Sequence, residues 1–475
     1  MTERRRDLSA VVALATLSLS MSVLINAGVV CSNDGSQYAL TRSLADGTAI
    51  IDAHWEYTDG VDYAQIGDHK YSDRPPHVAF LAVPVYLAAS GLGLDDAACQ
   101  AAVTGLAHVA GAIAVVLLFL LARRLGASRV GAVGAALALA WCTPLRSYSA
   151  TLFSHAFSAA LILALVWIAL PPESRVDPKR RRRWLLLGGV LGGYACGVDY
   201  TNGLPVVLLC LGGAWLESEG DWRRALPVGG LYLGGGLIGA APTLVYHTVV
   251  FGAPWSLSYF HDARFEYAHS AGSMYSGPFL EGFFGLLVSP HAGLLLWSPV
   301  LVFALAFWPA LRSTGKRFWV LLLPWVALYL VTSKNLTWHA GATQDVRYLV
   351  SVLPLIALPL AWAFDWAFGV RGKLRPVWLS VLGFLFFASA IIQIAKHNAL
   401  WARDGSQWIE RLAATMETDA GPTLAAFASW AYPHPIAAAV VLVIGLAISI
   451  GLRGDLGFAK GRLSRPAAAD GESPR

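Results

Sequence analysis

Apolar runs long enough to cross a bilayer recur along almost the whole chain, near residues 8–31, 100–121, 130–148, 150–170, 184–199, 201–216, 226–249, 292–311, 318–334, 347–367, 377–395 and 434–452. A hydrocarbon core of about 30 Å takes about 20 apolar residues in helical form, because only a helix bonds its backbone polar groups within one segment. The pattern predicts an all-α, polytopic membrane protein with about twelve transmembrane helices. Composition agrees: 14% of the 475 residues are charged, where soluble domains carry about 25%. Arg4, Arg5 and Arg6 precede the first run, which at about 23 residues outlasts a secretory h-region and predicts an uncleaved helix.

The basic residues decide which side each loop faces. One further run, 77–93, is ambiguous at about 17 residues. If it does not cross, both termini are cytoplasmic and 25 of the 35 Lys and Arg fall in cytoplasmic loops. If it crosses, 22 of those 25 move outside. Basic loops resist translocation, so 77–93 is expected to lie along the outer face. A long outer segment, 31–99, then separates the first two spans and carries juxtamembrane helices. The other outer segments are 250–291, 335–346 and 396–433. Residues 1–452 read as a single membrane domain, and 453–475 as a disordered cytoplasmic tail. The placement is a plasma or inner membrane, with any chemistry on its periplasmic or extracellular face.

Some chemistry is pointed away from. Cys31, Cys99, Cys142, Cys196 and Cys210 are scattered with no C-x-x-C, so neither zinc nor a disulfide framework is indicated. The span glycines read as close helix packing rather than as phosphate loops. No Walker or G-x-G-x-x-G context exists, and nucleic acid is not an expected partner.

The residues suited to chemistry lie at the outer ends of the runs. Asp34, just after the first run, opens a helical stretch, where a carboxylate can take a proton or satisfy free backbone N–H groups. Arg74 follows Asp73 and precedes Pro75-Pro76; its fork of donors suits phosphate or a lipid headgroup. Arg347, beside Tyr348 and after His339, sits at an outer end where basic residues are disfavoured. Phosphate binding, or pairing with Asp345 or another acidic loop residue, would account for it. His155 and Asp199 also fall at outer ends, where ionisable groups are functional candidates by default; capping of the 199–203 turn is the other use for Asp199. His261, Asp262, His269 and His291 follow no metal-binding spacing.

In order and side of the membrane, these elements resemble the GT-C glycosyltransferases, most closely the branch of protein O-mannosyltransferases and lipid A aminoarabinose transferase. The resemblance rests on Asp34-Gly35-Ser36-Gln37-Tyr38-Ala39 after the first helix, on Asp73-Arg74-Pro75-Pro76, on Arg347-Tyr348-Leu349 opening a Leu- and Pro-rich helix, and on Gly203 after Asp199-Tyr200-Thr201-Asn202. It spans roughly 1–370. Gly35 stands where that branch has a second acid, and His155 where it often has Asp.

The resemblance implies inverting transfer of a sugar from a polyprenyl-phosphate donor to a glycan, lipid or protein acceptor. Asp34 would be general base, and Arg74 and Arg347 would hold the donor phosphate. Asp73, His155, Asp199, His339 and Tyr348 would line the substrate site. No cofactor is fixed; a divalent metal stays open, with Gly35 and His155 counting against its usual seat. A transporter or flippase of lipid-linked saccharides, or an oligosaccharide ligase or polymerase, is the competing reading. An ordered 31–99 roof is what a transferase needs and a transporter does not.

Overall fold

The computed structural model describes residues 3–401 except 27, 173–175, 291, 344 and 370–373, with backbone alone at 4, 342 and 398–401. The expected span at 434–452, the tail at 453–475 and most of the 396–433 segment lie outside the described residues.

The chain opens with α1 (Glu3–Leu24), followed by the juxtamembrane α2 (Ser32–Ala45). A short hairpin, β1 (Ala64–Ile66) and β2 (His69–Tyr71), pairs Gln65 with Lys70 in antiparallel register. Next come α3 (His77–Gly91), α4 (Asp96–Arg124), α5 (Arg129–Trp141), α6 (Leu145–Tyr148), α7 (Ser154–Ala169), α8 (Pro178–Val198), α9 (Gly203–Glu217) and α10 (Trp222–Phe251). Beyond an irregular segment containing α11 (Ala271–Met274) and α12 (Phe279–Val288) lie α13 (Leu294–Trp297), α14 (Leu301–Phe307) and α15 (Arg317–Thr332). The described part ends with α16 (Leu353–Ala357), α17 (Leu360–Gly369) and α18 (Arg375–Trp401).

Each expected span within the described residues is occupied by a helix or a broken helix. Four stretches are by themselves long and apolar enough to cross a membrane: Arg5–Leu24, Asp96–Arg124, Trp222–Phe251 and Arg375–His397. Three expected spans are interrupted, the 130–148 run between α5 and α6 beside Pro144 among them. The 292–311 run breaks between α13 and α14 at Pro299, and the 347–367 run breaks before α17 at Pro359. Proline lacks the N–H that would continue the ladder and clashes with the preceding turn. Close contact does the joining elsewhere: a Cβ at Gly193 of α8 would sit 2.0 Å from the Gly236 carbonyl of α10, the small-residue approach that brings membrane helices together.

Charged residues tie down the helix ends. Arg124 donates to the carbonyls of Trp167, Leu170 and Pro171 at 2.8, 2.6 and 2.8 Å, satisfying acceptors that the end of α7 leaves open. Arg129 meets Asp7 at 2.7 Å and Arg123 meets Glu3 at 2.7 Å, fixing the start of α1 to α4 and α5.

The 31–99 segment forms a folded roof. Its α3 is 15 residues with Pro84 inside, about 22 Å long at 1.5 Å per residue and so shorter than the ~30 Å hydrocarbon core. It packs on α2 and α4. Asp96, at the start of α4, accepts from Tyr38 at 2.8 Å, Tyr57 at 2.9 Å and Arg42 at 3.0 Å, anchoring the roof to the helical body. The second outer segment joins through an Ala64–Asp262 bridge and a 2.9 Å bond from Ala263 N–H to the Tyr63 carbonyl.

Candidate active site

Beneath the roof lies a cavity of about 470 Å³, within the ~300–1,000 Å³ range of small-molecule sites. Six stretches of chain reach it: the start of α2, the loop before α3, the start of α7, the end of α8, and the segments at 259–274 and 335–348. Arg74, Arg347, Asp73, His155, Asp199 and Tyr348 all line it.

Arg74 is the best-partnered group. Its guanidinium pairs with Asp62 and, at 3.2 Å, with Asp73, and lies over the Tyr259 ring with 5.7 Å to the centroid. With the Asn33 amide turned so that its oxygen faces Arg74, that oxygen accepts from both Nη atoms at 3.1 and 3.2 Å. Ser36 of α2 donates to the other Asp73 oxygen at 2.9 Å, so the basic loop and α2 are locked together. Burial pushes the Asp73 carboxyl up to about 7, against the pull of Arg74.

Arg347 is arranged differently. Asp345 accepts the Arg347 backbone N–H at 2.9 Å and the Tyr148 hydroxyl at 2.7 Å. Asp345 thus meets the Arg347 backbone and not its guanidinium. The side chain stacks on Tyr348, 5.3 Å from the ring centroid. Among the described residues it forms no ion pair with a carboxylate, and it faces the cavity.

His155 Nδ1 lies 3.6 Å from Asp199. Ser154 donates to the same Asp199 oxygen at 3.2 Å, while the other oxygen accepts from Thr201 N–H at 3.0 Å and its hydroxyl at 2.7 Å. The capping use of Asp199 is therefore real, and one oxygen remains turned to His155.

Two candidate residues stand apart from the cavity lining. The Asp34 side chain is fully buried and is not among the lining residues. It occupies the third position of α2, behind the N-cap Cys31, and accepts from Cys31 N–H at 2.9 Å and from Val30 N–H at 3.1 Å. The physical reason is local, since a capping box draws an acid back toward the free N–H groups before the helix. Burial pushes the Asp34 carboxyl up to about 6, with these backbone bonds opposing it. His339 is also off the cavity, half-buried with its ring edge-on to Trp338, although Thr337 and Gly341 on either side line it.

The departure at Gly35 has a steric cause. A Cβ there would stand 1.8 Å from the Tyr57 carbonyl oxygen, so no acid fits at this position. Among the described residues no group of three or more His, Cys, Asp or Glu gathers as metal ligands. Asp62 and Asp73 face Arg74 instead, and the residues present do not form a metal seat.

Sequence reasoning passed over Asp62, Tyr259 and Asp262 as site residues, and all three line the cavity. The aromatic and acidic density of Tyr259-Phe260-His261-Asp262 was a usable hint.

No family model matches the chain, and no curated protein matches it either. Solved structures do. ArnT from Cupriavidus metallidurans in the apo state aligns with a TM-score of 0.53 and 15% identity over 88% of this chain and 80% of that one. The same protein bound to undecaprenyl phosphate aligns at 0.53 and 16%, over 86% and 79%. The archaeal oligosaccharyltransferase AglB from Archaeoglobus fulgidus, in complex with an inhibitory peptide and a dolichol-phosphate, aligns at 0.52 and 12% over 88% of this chain and 59% of that one. Identities this low carry architecture and no activity. In architecture, the chain shares the helical fold of ArnT and AglB.

Proposed function

We propose that the protein transfers a sugar from a polyprenyl-phosphate donor to a glycan, lipid or protein acceptor at the outer face of a plasma or inner membrane, with inversion and with both termini cytoplasmic. The observation that carries this reading is the roofed cavity lined by Arg347, whose guanidinium forms no ion pair with a carboxylate among the described residues, together with Asp199 and His155. A departing phosphate gains negative charge, and a fixed guanidinium in a water-poor site stabilises that charge by about 3 kcal/mol per donor. ArnT has been captured with undecaprenyl phosphate and AglB with a dolichol-phosphate, which supports the same ligand class here. The folded 31–99 roof favours a transferase over a transporter, which has no use for it.

Arg347 is the primary phosphate ligand in this reading, and Arg74 is the secondary one because Asp62 and Asp73 already offset its charge. Tyr348 and Tyr259 supply surfaces on which a sugar ring can stack. Asp34 takes part as a base only by giving up its bonds to Val30 and Cys31. Incubating the protein in lipid nanodiscs with a panel of polyprenyl-phosphate sugars tests the proposal. Release of free polyprenyl phosphate is expected with at least one donor, and silence with the whole panel would overturn it.

A further inference from the structure

Resting on that reading, we infer that His155, oriented by Asp199, is the group that takes the proton from a hydroxyl acceptor. Every carboxylate on the cavity wall already has partners. Asp62 and Asp73 face Arg74. Asp262 accepts from the N–H groups of Arg264 at 2.8 Å and Phe265 at 2.6 Å. Asp199 holds Thr201 and Ser154. Asp34 is walled off.

His155 is the exception. Its Nδ1 is turned to Asp199, and its ring is held between Phe153, stacked at 5.7 Å, and the edge of Tyr148 at 4.7 Å. Among the described residues Nε2 has no hydrogen-bond partner, and His155 lines the cavity. A ring nitrogen facing substrate, with the other facing a carboxylate, is the arrangement in which an imidazole accepts a proton and the carboxylate stabilises the resulting cation. The 3.6 Å separation exceeds a hydrogen bond, and such contacts tighten when substrate fills the site.

The step balances as follows. Nε2 takes the proton of the acceptor O–H as the oxygen bonds to the anomeric carbon. The bond from that carbon to the phosphate oxygen breaks, its electron pair leaves with the polyprenyl phosphate beside Arg347, and the proton on His155 passes to water or to that phosphate. The charged groups around His155 are Asp199, Arg347 and Arg74, with the Tyr148 hydroxyl against its ring.

The test compares glycerol, which must lose a proton to react, with azide, which need not. Both are offered to wild-type protein and to His155→Asn in nanodiscs with the donor that the wild type uses. The expected result is a fall of about 10²–10⁴-fold in glyceryl transfer by His155→Asn, with azide transfer within a few-fold of wild type. Asp199→Asn should lose glyceryl transfer in the same selective way, by a smaller factor. Equal glyceryl transfer by His155→Asn and wild type would overturn the inference, as would equal loss of both acceptors, which marks a packing role. Failure of the wild type to release polyprenyl phosphate from any donor instead overturns the transferase reading itself.

Discussion

At the scale of single residues, the two arginines have the same chemistry and opposite surroundings. Arg347→Ala should leave folding intact and lower transfer by about 10²–10³-fold, the usual loss for one fixed donor to a developing anion; turnover and melting temperature in nanodiscs together check this. Arg74→Ala should differ in kind. It strands Asp62 and Asp73, and breaking a buried pair destabilises by about 3–5 kcal/mol, so the melting temperature should drop along with activity. Asp34 is separated by a pair of substitutions. As a capping acid it should lose about 1 kcal/mol of stability on Asp34→Ala and much less on Asp34→Asn, with turnover of the Asn variant near wild type. A fall of about 10²–10⁴-fold with folding preserved would return the base to Asp34.

At the scale of elements, the roof depends on α2 lying against the backbone at Tyr57, and Gly35 is where they touch. Gly35→Ala forces atoms to 1.8 Å, and overpacking of this kind costs about 1–3 kcal/mol. Loss of melting temperature and of transfer together is the expected outcome. The same element shows what was legible beforehand. A helix after the first span, an acid at its start and a basic-Pro-Pro loop were all readable, because each follows from local pattern. The direction of Asp34 was not, since base and cap call for the same residue at nearly the same position. Nor was the approach of Asp62, Tyr259 and Asp262, which depends on the 31–99 and 250–291 segments pairing across about two hundred residues of chain.

At the scale of the whole molecule, the positive-inside arithmetic makes a claim that can be tested without any substrate. Ser313 is exposed in the Arg312–Arg317 loop, which is cytoplasmic only if 77–93 does not cross. Ser313→Cys should be blocked by membrane-impermeant reagent only after the membrane is opened, and ready labelling of intact cells would reverse the topology. The broken helices after residue 292 were not legible as broken. Proline in a membrane helix is often accommodated, and only packing decides whether the chain bends or stops.

The charge balance of the cavity has a thermodynamic consequence of its own. Four carboxylates and two guanidiniums line the space, so an entering phosphate meets a wall whose excess of negative charge is greatest when Asp73 is ionised. Asp73 sits near neutrality, raised to about 7 by burial, and an anion close by would raise it further. Binding of the lipid phosphate should therefore draw a proton from solution. Affinity should be full below pH ~7 and weaken as the pH rises through that value, by up to tenfold per unit for a single linked proton. Calorimetry in two buffers of different ionisation enthalpy, with undecaprenyl phosphate as the probe, would register that proton directly, and Asp73→Asn should abolish it.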